Sequence, residues 1–427
     1  MKSTEEEIVQ KNGYNIHFLT SEKYKTINIV VKLKAPLTRE TITMRALLPY
    51  ILQQGTKNHP NARALRIALD DLFGATLSID GSKKGEEHIL SLRLEFANET
   101  YLTTKEDIFD RAVTLLSEII FEPKSKDGMF DETIVKREKQ TLKAKIDSII
   151  DDKMAYANMR LIDEMCKDEP YRLHVHGYLE DLDTITPDSL FEYYQQLLKE
   201  DQMDVYVLGD FDASYVKGLV NKHFKEREES IDHNDRNAKD VHKKREVQNI
   251  VEKQSIQQAK LHLGYRTNIT YGDDDYYALQ VFNGIFGGFP SSKLFINVRE
   301  KNSLAYYAAS RIESHKGLLL VFSGIAPTDF DKANDIIQEQ MEQMRQGNFT
   351  EEQVKETKNL VVNQLLETMD NPQGLIEILY HQVLAKSKIT PEQVMERIKN
   401  VTKADLMNVA TKIELDTVYF LTNEGEI

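Results

Sequence analysis

Cysteine is almost missing from this sequence. Cys166 is the only one in 427 residues, so no internal disulfide can form and the chain suits a reducing compartment. Cys166 itself reads as a small, partly buried side chain on a helix. Eighteen apolar residues never follow one another, so no membrane-spanning helix is expected. Basic residues are not in excess either. The chain holds 55 Lys and Arg against 69 Asp and Glu, a formal net charge of −14, which argues against nucleic acid or an anionic membrane as the main partner. Met1 to Gly13 is polar and acidic without an apolar core, so no secretory signal is expected and the cytoplasm is the expected location.

What is present is ordinary globular material, 41% hydrophobic and 29% charged. The length exceeds what one core usually holds, so at least two domains are expected. Strand alternation marks Tyr14 to Leu19 and Thr26 to Ala35, where Ile27, Ile29, Val31 and Leu33 alternate with Asn28, Val30, Lys32 and Lys34. Thr41 to Gln54 reads as a helix with Pro49 inside it, so a kink or a start nearer Leu47 is expected. Asn61 can cap a helix over Ala62 to Leu72. Thr76 to Asp80 and Glu87 to Phe96 form a strand pair around a Gly81–Gly85 turn. Helices are expected over Ile108 to Phe121, Asp131 to Asp151, Lys153 to Cys166 and from Pro187 to Leu198, with a strand at Met203 to Leu208. Lys225 to Arg245 is dense in charge and nearly free of apolar residues, an exposed linker in which His233 and His242, like His223 just before it, are solvated.

The order then repeats. Ala259 to Tyr265 matches Thr26 to Lys34, Tyr276 to Phe286 matches the helix at Ala46, and Ser291 to Glu300 matches Ala62 to Leu72. Leu304 to Arg311 and Leu318 to Ile325 match the strand pair after Gly74, and Thr417 to Thr422 matches Met203 to Leu208. A period near 210 residues means duplicated domains rather than a solenoid of short units. Strand runs and helix runs without strict alternation give an α+β class. The expected domains are 1–224 and 246–427, joined by the linker 225–245.

Two stretches carry a resemblance. Ala46-Leu47-Leu48-Pro49-Tyr50 is followed by Gly55-Thr56, and Gly287-Gly288-Phe289-Pro290-Ser291-Ser292-Lys293-Leu294-Phe295 is followed by Val298-Arg299-Glu300-Lys301 and Leu304-Ala305-Tyr306. This framework resembles the insulinase/pitrilysin zinc peptidases, near the mitochondrial processing peptidase branch. The family's His-x-x-Glu-His motif falls on Ala46, Pro49 and Tyr50, and its third ligand, a glutamate on a later helix, falls on Lys145. A catalytic zinc needs three protein ligands and an open position, with the motif's glutamate as general base. A methyl, a pyrrolidine ring, a phenol that ionises near pH 10 and an ammonium supply none of this. No metal and no cofactor are therefore expected.

The resemblance implies two tandem homologous α+β domains in a clam-like arrangement, each a mostly antiparallel sheet packed with helices. It also carries substrate-binding roles onto Arg299 and Tyr306, whose guanidinium and phenol can donate to a peptide carbonyl or a developing oxyanion. Gly287 and Gly288 would let a substrate approach the backbone. The implied protein is the non-catalytic subunit of a bacterial heterodimeric peptidase. It would bind an extended peptide or precursor as an added strand and lend Arg299 and Tyr306 to a homologous zinc-bearing partner. Alone it could form a homodimer. Two other readings stand beside it: a purely structural homologue, or an enzyme with ligands rewired onto His174, His176 and Glu164.

Overall fold

The structure, a computed structural model, describes residues 5–102, 107–224, 226–227 and 246–424. Most of the expected linker, including His233 and His242, lies outside the described residues. Arg227 does not behave as linker. Its guanidinium donates to the carbonyls of Leu198 (2.6 Å), Asp201 (2.9 Å) and Gly13 (3.3 Å).

The chain divides into two compact units, Met1–Ser148 with Leu173–Asp240, and Ile149–Arg172 with Val241–Ile427. Segment 149–172, which the expected 1–224 domain would contain, thus belongs to the second unit.

The first unit is built on β1 (Glu5–Lys11), β2 (Tyr14–Thr20), β3 (Thr26–Pro36), β4 (Thr76–Lys84), β5 (Glu87–Ala97) and β8 (Gln202–Gly209), in the order β1-β2-β8-β3-β5-β4. A short hairpin, β6 (Ser125–Lys126) and β7 (Met129–Phe130), stands apart. Among the described strands of this sheet only β2 and β8 run parallel. Ile27, Ile29, Val31 and Leu33 of β3 pack into one core with Leu47, Leu48 and Ile51, with Leu116 and Ile119 of helix Ile108–Phe121, and with Leu190 and Leu197 of helix Pro187–Glu200. The intervening Asn28, Val30 and Lys32 are buried too, and Lys32 donates to Ser91 at 3.1 Å. Asn61 caps helix Ala62–Asp70 as expected, accepting from the Ala64 amide.

Three local expectations change. Helix Ile42–Leu52 keeps Pro49 inside it, in line with the Thr41 to Gln54 reading; only the alternative start near Leu47 drops out, because the packing of its apolar side chains outweighs the missing backbone donor. β4 continues through Gly81 to Lys84, leaving a tight turn at Gly85, whose φ is +57°. The acidic stretch from Glu5 is an edge strand, which its composition did not announce.

The second unit repeats the plan. β9 (Gln248–Lys253), β10 (Ala259–Arg266), β11 (Ala305–Glu313), β12 (Leu318–Ile325) and β13 (Glu414–Thr422) lie in the order β11-β12-β10-β13-β9. Matching β9, β13, β10, β12 and β11 to β2, β8, β3, β5 and β4 reproduces both the order and every pairing sense, including the single parallel pair. The caps repeat as well: Thr186 before Pro187 and Thr390 before Pro391 each close a capping box.

Helix Lys153–Met165 lies against this second sheet, where a Cβ on Gly264 would overlap Met165. Charge holds the segment there. Arg160 (3.1 Å) and the hydroxyl of Tyr156 (2.5 Å) donate to Glu252, and Glu169 takes Arg266 at 2.7 Å and Lys316 at 2.6 Å. Burial opposes the Glu169 charge, but Arg266 and Lys316 outweigh it, so its carboxyl titrates below the usual range.

Two outcomes follow. Asp201→Asn leaves the Arg45 guanidinium, bonded to Asp201 at 2.8 Å and 1% exposed, without its counter-charge. Denaturant unfolding is expected to show a loss of about 3–5 kcal/mol. Because the folded pKa of Glu169 is depressed, its contribution is complete above the unfolded value of about 4.3 and is lost as pH falls through the folded value. Glu169→Gln should therefore lower the melting temperature at neutral pH, with the difference from wild type shrinking below pH 4 (roughly).

Candidate functional site

Arg45 organises the first unit's site. It lies one residue before Ala46 on helix Ile42–Leu52, and its guanidinium is fully buried. Nε donates to His88 Nδ1 (2.9 Å), Nη1 to the Tyr193 hydroxyl (3.1 Å) and Asp201 (3.2 Å), and Nη2 to Asp201 (2.8 Å) and the Leu33 carbonyl (3.3 Å). Burial works against the charge, but Asp201 prevails, so Arg45 holds its proton more tightly than usual.

Around this tie stand the positions of the absent zinc motif. Ala46 is 6% exposed and its methyl packs in the core, and Pro49 is buried beside it. Tyr50 is half-buried, and burial, then the Glu138 charge, raises its phenol pKa further. Lys145 is exposed on helix Glu132–Asp151, and its ammonium has no hydrogen bond or ion pair among the described residues. A neutral phenol, an ammonium and two groups without donor atoms do not fit Zn²⁺. The rewired set fares no better. Glu164 is taken by Arg160 at 2.7 Å, and among the described residues no group of three His, Cys, Asp or Glu could hold a metal.

The loop bearing His174 and His176 is seated on the start of the same helix. Tyr178 N donates to Thr43 Oγ1 (3.0 Å), Arg39 lies over the Tyr178 ring (4.1 Å) and bonds Asp181 (2.6 Å), and His174 stacks on Tyr178 (4.9 Å). Gly177, at φ +71°, packs so closely on Thr43 that a Cβ would collide. Lys83 of β4 donates to the Leu173 carbonyl at 3.2 Å. His176 is half-buried and makes no hydrogen bond among the described residues. Burial, then Lys145 and His174, lowers its pKa.

His88, on β5, went unnoticed in the sequence, as did Arg45 and Glu138. His88 is fully buried. Its Nδ1 accepts from Arg45, so the neutral ring carries its proton on Nε2, and that N–H has no partner among the described residues. Burial, then Arg45 and His176, holds its pKa well below the ordinary value. Glu138 is 5% exposed, pairs with Arg137 at 2.6 Å and lies seven residues before Lys145 on the same helix face. Charged neighbours hide it in the sequence; its only signal is the helical spacing that puts it on one stripe with Val135 and Leu142.

In the second unit the glycine run is π-helical over Gly284–Gly288, continuing α-helix Tyr276–Asn283, and Phe295–Glu300 is π-helical too, where ordinary helices were expected. Packing accounts for Gly287. It is buried, and a Cβ there would strike Ser310 of β11, so it is not open to a ligand. Gly288 is exposed and lines a pocket of ≈ 270 Å³ with Asn283, Ser310 and Gln364. Arg299 lies over Phe295 (4.6 Å), is 41% exposed and, among the described residues, has only Glu300, at 3.6 Å, as a carboxylate neighbour. Tyr306 stands on β11, the edge strand, where the register with β12 shifts between Ala305 and Tyr307. This bulge turns its ring outward, 79% exposed, and its hydroxyl has no partner among the described residues. Arg299 and Tyr306 sit on neighbouring elements, linked by the Leu304 amide donating to the Val298 carbonyl at 3.1 Å.

Comparison with known proteins gives the family and the fold. Residues 184–361 match the family model "Peptidase M16 inactive domain". The chain is 47% identical over 409 residues, 96% of each protein, to a Bacillus subtilis protein named probable inactive metalloprotease YmfF. It is 24% identical over 271 residues, 63% of this chain and 66% of the other, to the B. subtilis antilisterial bacteriocin subtilosin biosynthesis protein AlbE. A crystal structure of a conserved protein from Enterococcus faecalis V583 superposes with a TM-score of 0.90 at 36% identity over 99% of both chains. With its metal-binding donors replaced and the rest of the framework kept, the chain belongs to the insulinase/pitrilysin family, peptidase M16, as a non-catalytic homologue.

Proposed function

We propose that this protein is the non-catalytic subunit of a heterodimeric zinc peptidase. It binds an extended peptide or precursor and supplies Arg299 and Tyr306 to the cleft of a homologous zinc-bearing partner. The observation that carries the reading is Tyr306. A phenol at a bulge on an edge strand, 79% exposed with its hydroxyl unengaged, has no role in the fold of its own unit. Among the described residues, no backbone hydrogen bond of β11 from Ala305 to Ile312 reaches anything but β12, so the strand's outer edge can take an added peptide strand. Arg299, with one weak carboxylate neighbour, adds a charged donor beside it. The similarity to a protein of bacteriocin biosynthesis supports a peptide as the substrate class. A cytoplasmic location belongs to the same reading. Its support is a chain with a single cysteine, buried, and no described helix long and apolar enough to cross a membrane.

Two measurements test this. Equilibrium dialysis against zinc, followed by metal analysis, should leave the wild-type chain without stoichiometric metal; one zinc per chain would overturn the non-catalytic assignment. The protein is then purified from its own cells with the proteins it retains, and the peptidase activity of the mixture is assayed. Arg299→Ala and Tyr306→Phe are expected to lower that activity by about 10²-fold each while leaving the melting temperature unchanged. Full activity in both variants, or no peptidase in the retained material, would favour a purely structural homologue.

A further inference from the structure

We propose that the first unit binds a carboxylate where a hydrolase of this family would hold its metal, with Lys145 as counter-charge and the imidazoles of His176 and His88 as N–H donors. The inference deepens the peptide-binding reading and rests on it for the source of the carboxylate.

Charge is the first support. In a chain of net charge −14, Lys145 is an exposed ammonium with no acidic partner among the described residues, and the nearby Glu138 is already held by Arg137. The second support is an unsatisfied donor. A buried N–H left unpaired costs about 1–3 kcal/mol, so an orphan such as His88 Nε2 calls for an explanation. Arg45 makes it a donor and not a metal ligand, because Nδ1 is occupied and the proton must sit on Nε2. Gly81 has no side chain to crowd this nitrogen; a Cβ there would stand 3.0 Å from it. The third support is placement. The loop tied to β4 through Lys83 and to helix Ile42–Leu52 through Thr43 brings His176, itself without a hydrogen bond, within electrostatic reach of both Lys145 and His88.

These groups select the ligand class. A cation is repelled by Lys145 and meets N–H, not a lone pair, at His88. Both imidazoles are held neutral near pH 7 by their lowered pKa values, so the cluster carries one positive charge and matches a monoanionic carboxylate better than a dianionic phosphate. A peptide's C-terminal carboxylate and an internal Asp or Glu share this chemistry.

The test uses the full chain and eight-residue Ala/Thr/Val peptides in three forms: free acid, C-terminal amide, and amide with one internal Glu. Fluorescence anisotropy should show the free acid or the internal-Glu peptide binding at least about tenfold tighter than the plain amide. Whichever it is identifies the carboxylate's source. Lys145→Met and Gly81→Ala should each bring that peptide down to the amide's affinity and leave the amide unchanged. In parallel, acetate is titrated into ¹⁵N-histidine-labelled protein, and the Nε2 resonance of His88 should shift in wild type but not in Gly81→Ala. Equal binding of all three peptides, with no acetate shift, overturns the carboxylate site and leaves the peptide reading standing. Failure of every peptide to bind, with the acetate shift present, overturns the peptide reading and keeps the site.

Discussion

The Arg45 guanidinium is the interaction on which the first unit rests. Five N–H groups leave a planar fork in fixed directions, and here they meet β3, β5, helix Pro187–Glu200 and Asp201 at once. Such a charge is tolerable in a core only when every donor is satisfied. The satisfied fork fixes the position of helix Ile42–Leu52, which explains how that helix survives Pro49. Loss of one helical bond and the ring clash cost about 3 kcal/mol, while burying each of Leu47, Leu48, Ile51 and Leu52 contributes about 1.5–3 kcal/mol. The helix that carries the metal ligands in active relatives therefore persists here as architecture, with its chemistry removed.

The two units share one strand order but differ in what their sites present. The first keeps a polar, imidazole-rich site around a tautomer set by Arg45, beside the β4 edge. The second offers an edge strand whose bulge turns Tyr306 outward next to Arg299. Among the described residues neither contains a complete hydrolytic site. Segment 149–172 shows how charge assigns chain to unit: Glu169 between Arg266 and Lys316, and Glu252 beneath Arg160 and Tyr156, bind it to the second sheet despite its place in the first half of the sequence.

Much of the fold was legible because period and caps are local signals. The strands β3 and β10, the Asn61 cap, the helix that starts at Pro187 and the duplication itself all appear as written. What escaped were elements whose composition argued otherwise. β1 is rich in glutamate because an edge strand need bury little, and β9 alternates between half-buried and exposed positions. Helix Pro372–Leu384 starts at Pro372 with Asn371 as its cap, and Leu375, Ile376, Leu379 and Val383 fall at helical spacing along it. The π-helical turns around Gly287 and Arg299 have an α-helical pattern, and nothing local separates the two.

By itself the sequence determined which atoms are present: a methyl, a pyrrolidine, a phenol and an ammonium at four positions settle that no zinc hydrolysis can be built there, whatever the fold. It also determined the duplication, since a hydrophobic pattern read twice must fold twice. Only the tertiary structure decided that Gly287 is packed away, that Tyr306 points outward, that His88 holds an unused proton and that residues 149–172 join the second sheet. Those outcomes depend on neighbours distant in sequence, whose burial and charge no local pattern encodes.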